Sequence, residues 1–176
     1  VDVTNRYTTS FMWHNDRLFA VAQTKLVVSD DYGATFSDVS TLPDTHDDNC
    51  LLSFNGILYF FSGSDCYESG DDGATFSIVG AWAYVGAAVM GGYVYNFSAT
   101  DTDVDVYRTN DFVTNTLMGS FAYTYDDPGD PVVVNNEGIT FGTSAGILFH
   151  IAGKNYEDVN TDDVTRLWVN TSVDNG

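Results

Sequence analysis

The chain is short of positive charge. Six Lys and Arg stand against 25 Asp and Glu, a formal net charge of −19. Such a field repels phosphate and argues against nucleic acid and anionic membrane as partners. Glutamate is scarce as well: Glu68, Glu137 and Glu157 are the only ones, so the acid is nearly all aspartate. Lysine and leucine, like glutamate good helix formers, are also thin, which argues against long helices. No apolar run approaches the ~20 residues of a membrane-spanning helix. Proline numbers three and cysteine two. Cys50 and Cys66 leave a bridge and two buried thiols equally open. A bridge would close a loop of about 15 residues, add roughly 3 kcal/mol and imply an extracellular setting. The chain opens at Val1 without a leader-like segment, as expected of an excised domain or mature product.

What is plentiful points to pleated structure. Of 176 residues, 44% are apolar, enough for one ordinary core, and 26 are Phe, Tyr or Trp, types that favour strands. The aspartate excess is read three ways: solvation in a salty medium, cation binding, or plain solubility. Aspartate tilts the reading toward turns and calcium, being both the turn former and a short hard-oxygen ligand.

Three segments repeat 40 residues apart. Ser29-Asp30-Asp31-Tyr32-Gly33-Ala34-Thr35-Phe36 returns as Ser69-Gly70-Asp71-Asp72-Gly73-Ala74-Thr75-Phe76, and a worn copy follows at Thr109-Asn110-Asp111-Phe112. Asp31, Asp71 and Asp111 share this spacing, and a fixed period of this size marks a repeat architecture. Each unit opens with a hairpin: 10–13 and 17–22 around His14-Asn15-Asp16, 51–54 and 57–62 around Asn55-Gly56, 87–90 and 93–98 around Gly91-Gly92, and 132–135 and 139–143 around Asn136-Glu137-Gly138. Asn-Gly is the strongest short hairpin signal. Third strands follow at 25–29, 66–69, 104–109 and 146–151, and fourth strands at 36–39 and 76–79. Four antiparallel strands per ~40 residues describe a β-propeller blade. The expected fold is all-β and propeller-like, a single domain 1–176 with units near 10–40, 50–80, 87–118 and 132–160. Residues 153–156 are a faint echo of the turn in the last unit, and 1–9 and 164–173 close the ring or form a further partial blade. The blade count could reach five or six.

The recurring turn has a physical logic. The aspartate can accept backbone N–H bonds across its own turn, and Gly33 and Gly73 can adopt positive φ. The segments 29–36 and 69–76 resemble the Asp-box, or BNR, repeat of β-propellers, although that pattern usually ends in Trp where this chain has Phe36 and Phe76. The resemblance implies a structural role for Asp31, Gly33, Asp71, Gly73 and Asp111, at turns remote from the ligand face. Sialidases carry this repeat and clamp an anionic sugar with three arginines. The chain has only Arg6, Arg17, Arg108 and Arg166, lacks the family's N-terminal Arg-Ile-Pro type motif, and its charge would repel such a sugar. His14, His46 and His150 are far apart and sit in no catalytic motif.

Propeller topology puts the second-to-third strand loops and the unit-to-unit loops on one face. Here those loops are 41–49, 80–86 and 119–130, with Asp65 and 101–103 beside them. Trp82, Tyr84, Tyr123, Tyr125 and His46 are the candidate ligand-binding residues, the rings by stacking on sugars. The alternating oxygens of Asp101, Asp103 and Asp105, with Asp126, Asp127 and Asp130, are candidate Ca²⁺ ligands, although no glycine or distal glutamate completes an EF-hand. The expected function is a calcium-stabilised adhesion or receptor-binding module without catalysis, taking a cell-surface receptor or carbohydrate as partner, extracellular or on a virion, within a larger parent chain. By composition it is similar to the receptor-binding domain of a marine bacteriophage spike. The alternatives are a sialidase-like glycoside hydrolase and a structural propeller module. Asn96-Phe97-Ser98 and Asn170-Thr171-Ser172 match the glycosylation acceptor pattern.

Overall fold

The computed structural model describes residues 8–44, 50–62, 65–82, 87–99, 103–122, 140–144, 147–156 and 164–172, all strand, turn or coil. The chain divides into two compact units, Val1–Ala83 and Tyr84–Gly176. The first unit holds two four-stranded antiparallel sheets. One is β1 (Thr8–His14), β2 (Arg17–Ala22), β3 (Lys25–Ser29) and β4 (Ser37–Thr41). The other is β5 (Leu51–Phe54), β6 (Ile57–Phe61), β7 (Asp65–Ser69) and β8 (Ser77–Ala81). Both sheets are ordered as in the sequence, and β1 packs along β5.

The second unit holds a third such sheet: β9 (Ala87–Met90), β10 (Tyr93–Ala99), β11 (Asp103–Thr109) and β12 (Thr116–Ala122). A three-stranded sheet follows, made of β13 (Thr140–Ser144), β14 (Ile147–Tyr156) and β15 (Val164–Ser172), with β13 along β9. This last sheet departs from the sequence reading. Residues 153–156 run as strand within β14 and pair with β15, because they lack the Asp-x-Gly that turns the chain elsewhere. The stretch 164–172, read as a terminal leftover, is the partner strand of β14. The expected strand 132–135 lies outside the described residues.

Each element follows from its residues. Asn15 and Asp16, Asn55 and Gly56, and Gly91 and Gly92 all have positive φ, the paired left-handed residues of type I′ hairpins. β2 and β6 are buried on both faces, so they read as unbroken apolar runs (Phe19-Ala20-Val21-Ala22 and Leu58-Tyr59-Phe60-Phe61) rather than alternating ones. β4 and β8 are half-exposed outer strands; β4 carries Ser, Asp and Thr, whereas β8 has Ser77 as its one polar side chain. One feature recurs that no residue pattern announced. A β-bulge interrupts the pairing of the third and fourth strands in all three sheets, setting Leu26 and Val27 against Ser40 and Asp38, Cys66 and Tyr67 against Gly80 and Ile78, and Val106 and Tyr107 against Gly119 and Leu117. The extra residues are Val39, Val79 and Met118. Val39 and Met118 pack against the cores of their units, so the bulge re-aims an apolar side chain inward while the strand bends.

The seam between the first two sheets is the main core. Phe19, Val21, Leu26 and Val28 interleave with Leu51, Leu58 and Phe60, and Phe76 lies edge-on to Phe60 at 6.0 Å. Polar groups fasten the same seam. His14 Nδ1 meets Ser53 Oγ at 2.8 Å, Ser40 Oγ donates to the Gly73 carbonyl at 2.6 Å, and Leu51 N–H donates to Ser10 Oγ at 3.1 Å. Asn15 Nδ2 donates to Asp72 Oδ1 at 2.8 Å.

Cys50 and Cys66 are buried thiols and not a bridge. The ladder explains why. Phe61 on β6 takes its partner Cys66 on one side and donates to the Cys50 carbonyl on the other. The two cysteines are therefore two strand spacings apart, roughly 10 Å, beyond the ~7 Å between Cα atoms that a disulfide spans. Burial, then the charge of Glu68, pushes the Cys66 thiol up to about 12, so it stays protonated and inert. The argument for an oxidising compartment loses this support.

Candidate functional site

The aspartate turns are closed circuits. Asp31 accepts Thr35 N–H at 2.8 Å and Thr35 Oγ1–H at 2.6 Å, and Ser29 Oγ donates to it at 2.7 Å while accepting Gly33 N–H at 2.7 Å. Asp71 repeats this with Thr75 at 2.9 and 2.6 Å, Ser69 at 2.8 Å and Gly73 N–H on Ser69 Oγ at 2.7 Å. The worn copy is one residue tighter. Asp111 accepts Val113 N–H at 2.9 Å and Thr114 N–H at 2.8 Å, with Thr109 donating at 3.0 Å, and Val113 stands where the others have glycine. The hydrogen bonds from Thr35, Thr75 and the 113–114 amides are the leading cause that holds all three carboxylates down at about 2. Such carboxylates are spent on their own turns and are poor acids, bases or metal ligands at neutral pH.

The opposite edge of the sheets is different. Leu42 N–H donates to the Thr24 carbonyl at 2.9 Å and Lys25 Nζ donates to Thr41 Oγ1 at 2.9 Å, which ties the β2–β3 turn to the connection after β4. On the neighbouring sheet the β6–β7 corner is held by Ser62. Its amide donates to the Asp65 carbonyl at 2.9 Å, and its hydroxyl accepts the Asp65 amide at 3.1 Å. Tyr67, two residues after Asp65 on β7, packs on Phe60 at 5.8 Å. Burial first, then the charges of Asp44 and Asp65, push its phenol above the ordinary value. A carboxylate from the connection after β4 and another from the start of β7 thus act on one protonated phenol, across the seam of two repeats. A phenol kept protonated beside two carboxylates can donate a hydrogen bond, and the carboxylates can move protons.

The sequence-derived candidates divide as follows. Trp82 is 2% exposed and stacks on Phe61 at 4.4 Å; an indole so enclosed fills the core and offers no face to a sugar. His46, Tyr84, Tyr123, Tyr125, Asp101, Asp126, Asp127 and Asp130 lie outside the described residues. Asp103 and Asp105 sit two apart on β11, and the Asp105 carboxylate is engaged by Ser120 Oγ and by Tyr107 OH at 3.4 Å. Among the described residues no group of three His, Cys, Asp or Glu could hold a metal, so the calcium expectation rests on spacing alone. Asn96 is fully buried and donates to Asn115 Oδ1 at 2.8 Å, which closes it to a glycan. The Asp44–Tyr67–Asp65 grouping was missed as a unit. Asp44 and Asp65 each fell among or beside the loops of the expected ligand face, but the tyrosine joining them is an inward strand position.

Neither a protein-family model nor a curated protein matches the chain in sequence. Solved structures match it in shape. The α-L-arabinanase of Penicillium chrysogenum complexed with arabinobiose aligns with a TM-score of 0.65 at 16% identity, over 97% of this chain and 65% of that one. The GH93 α-L-arabinofuranosidase of Fusarium graminearum with arabinobiose gives 0.63 at 14%, over 97% and 65%. The N-terminal domain of Nup159 gives 0.56 at 11%, over 96% and 46%. At these identities the likeness establishes the fold, an all-β fold of β-propeller type. The chain spans less than two thirds of the arabinanase and arabinofuranosidase chains (65%) and about half of the Nup159 domain (46%).

These neighbours correct the expectation of a non-catalytic adhesion module. That expectation excluded catalysis through the sialidase requirements, an arginine clamp and an anionic substrate. Hydrolysis of a neutral glycoside needs neither; it needs two placed carboxylates, and a net charge of −19 does not oppose an uncharged sugar.

Proposed function

We propose that the chain supplies blades of a β-propeller glycoside hydrolase acting on neutral, arabinose-type saccharides, with Asp44 and Asp65 as its carboxylates and Tyr67 as the phenol between them. What supports this reading is the fold shared with solved arabinanase and arabinofuranosidase structures; the charges of Asp44 and Asp65, which together with burial raise the Tyr67 phenol at the edge opposite the aspartate turns, mark the candidate carboxylates. One carboxyl would protonate the leaving oxygen while the other activates water or attacks the anomeric carbon. Tyr67, protonated at neutral pH, serves as a hydrogen-bond donor and not as a nucleophile. The turns around Asp31, Asp71 and Asp111 are proposed to be Asp-box turns with a purely structural task, supported by their shared hydrogen-bond circuit.

The test is release of reducing sugar from linear arabinan and from chromogenic arabinofuranosides, galactosides and xylosides. Turnover of at least one neutral substrate is expected, reduced about 10²–10⁴-fold in Asp44→Asn or Asp65→Asn, the scale of a lost acid or base. Asp105→Asn, whose carboxylate is tied to Ser120, should leave the rate unchanged. Absence of turnover on every substrate overturns the proposal.

A further inference from the structure

The residue after each turn aspartate adopts the left-handed region in all three repeats: Tyr32 at φ 58°, Asp72 at 55° and Phe112 at 58°. Two of the three have a visible reason. Aspartate tolerates this conformation, and Asp72 accepts Asn15 Nδ2–H at 2.8 Å and lies 3.7 Å from Arg17 Nη1. Phe112 recovers the strain by burying its ring. Tyr32 has neither reason. It is a bulky residue at positive φ, a costly conformation, and it is 86% exposed. Its ring stacks on Trp13, itself 46% exposed, with centroids 5.7 Å apart and planes 18° from parallel. Phe11, also exposed, lies two positions before Trp13 on the same face of β1. The period puts Ser53 where the first repeat has Trp13, and Gly70 where it has Asp30.

We propose that the exposed, stacked rings of Trp13 and Tyr32 form a second saccharide-binding platform on the aspartate-turn edge, opposite the Asp44–Asp65 site. The chemistry selects the ligand. Exposed, nearly parallel rings stack on the C–H face of a pyranose or furanose. The chain's net negative charge disfavours acidic glycans. The ligand is therefore a neutral polysaccharide chain held away from the cleavage site. Strain at an exposed position that gives nothing to the core is where structure has been traded for binding.

The platform does not depend on hydrolysis, and the test keeps the two apart. Wild type, Trp13→Ala, Tyr32→Ala, Tyr32→Gly and Asp65→Asn are run in native gels containing soluble arabinan, arabinoxylan or mixed-linkage glucan. At least one polysaccharide is expected to retard the wild type. Retardation should weaken about tenfold or more in each platform variant, the loss typical of a central aromatic contact, and persist in Asp65→Asn. Tyr32→Gly should melt no lower than wild type, which separates lost binding from lost fold. No retardation by any neutral polysaccharide, as when these rings are covered by further protein, overturns the proposal; so does retardation undiminished by Tyr32→Ala.

Discussion

Glycine 73 and glycine 33 occupy the same turn position, with φ of 83° and 90°, yet they differ in what surrounds them. A Cβ on Gly73 would collide with Leu26 Cδ2, a side chain wedged in the seam, whereas one on Gly33 would meet Leu18 Cδ2 at an ordinary 3.4 Å. Gly33→Ala should therefore cost about 1–2 kcal/mol from backbone strain alone. Gly73→Ala adds overpacking of about 1–3 kcal/mol, so its urea midpoint should fall clearly further. Equal losses would mean that the second turn is not pressed against the first sheet. The neighbouring aspartates make a separate prediction in pH. Asp31, Asp71 and Asp111 titrate near 2 when folded and near 3.9 in an unfolded chain. Depressed folded values contribute stability that is whole above about pH 4–5 and is lost as pH falls toward 2. The melting temperature should be level near neutrality and drop through that acid window. Asp31→Asn and Asp71→Asn should lower the plateau and flatten the drop.

At the scale of elements, the hairpins and the carboxylate–glycine turns were legible because each is a local code. Asn55-Gly56 can hardly be anything other than a tight hairpin, and a carboxylate two to four residues before its own donors forms the same circuit wherever it occurs. The bulges at Val39, Val79 and Met118 were not legible, because an extra strand residue leaves no mark except a partner that must be known beforehand. The last sheet was misread for a related reason. A glycine at 153 suggested a turn, but turns here are made by the aspartate, and without it β14 runs on to Tyr156. Sheet-to-sheet fastening was equally hidden. His14 was placed in a hairpin turn, yet it is buried, reaches Ser53 on the next sheet and stands 3.3 Å from Asp72. The order serine–histidine–aspartate resembles a nucleophilic relay, but the enclosed imidazole and an Asp72 shared with Asn15 make it a clasp between repeats. His14→Ala removes a buried ring and strands the Ser53 hydroxyl. It should destabilise by about 2–4 kcal/mol, read as a lower denaturant midpoint at unchanged slope, with no loss of the proposed glycosidase activity. A rate loss without destabilisation would reassign the clasp to catalysis.

For the molecule as a whole, fold and function separated. The 40-residue period made the propeller-type fold readable, and the solved neighbours bear it out at 11–16% identity. Function was misjudged because scarcity of arginine was taken as scarcity of catalysis, while an excess of aspartate made every carboxylate pair look alike. Asp44 and Asp65 stand out only through their shared electrostatic effect on Tyr67, one from the connection after β4 and one from the start of β7. The most direct measurement of the proposed activity is kcat/KM on a neutral arabinoside for wild type, Asp44→Asn, Asp65→Asn and the double variant. Two carboxylates acting as one unit predict strong losses in each single variant and a double loss far short of their product. Full activity in either single variant would contradict the account.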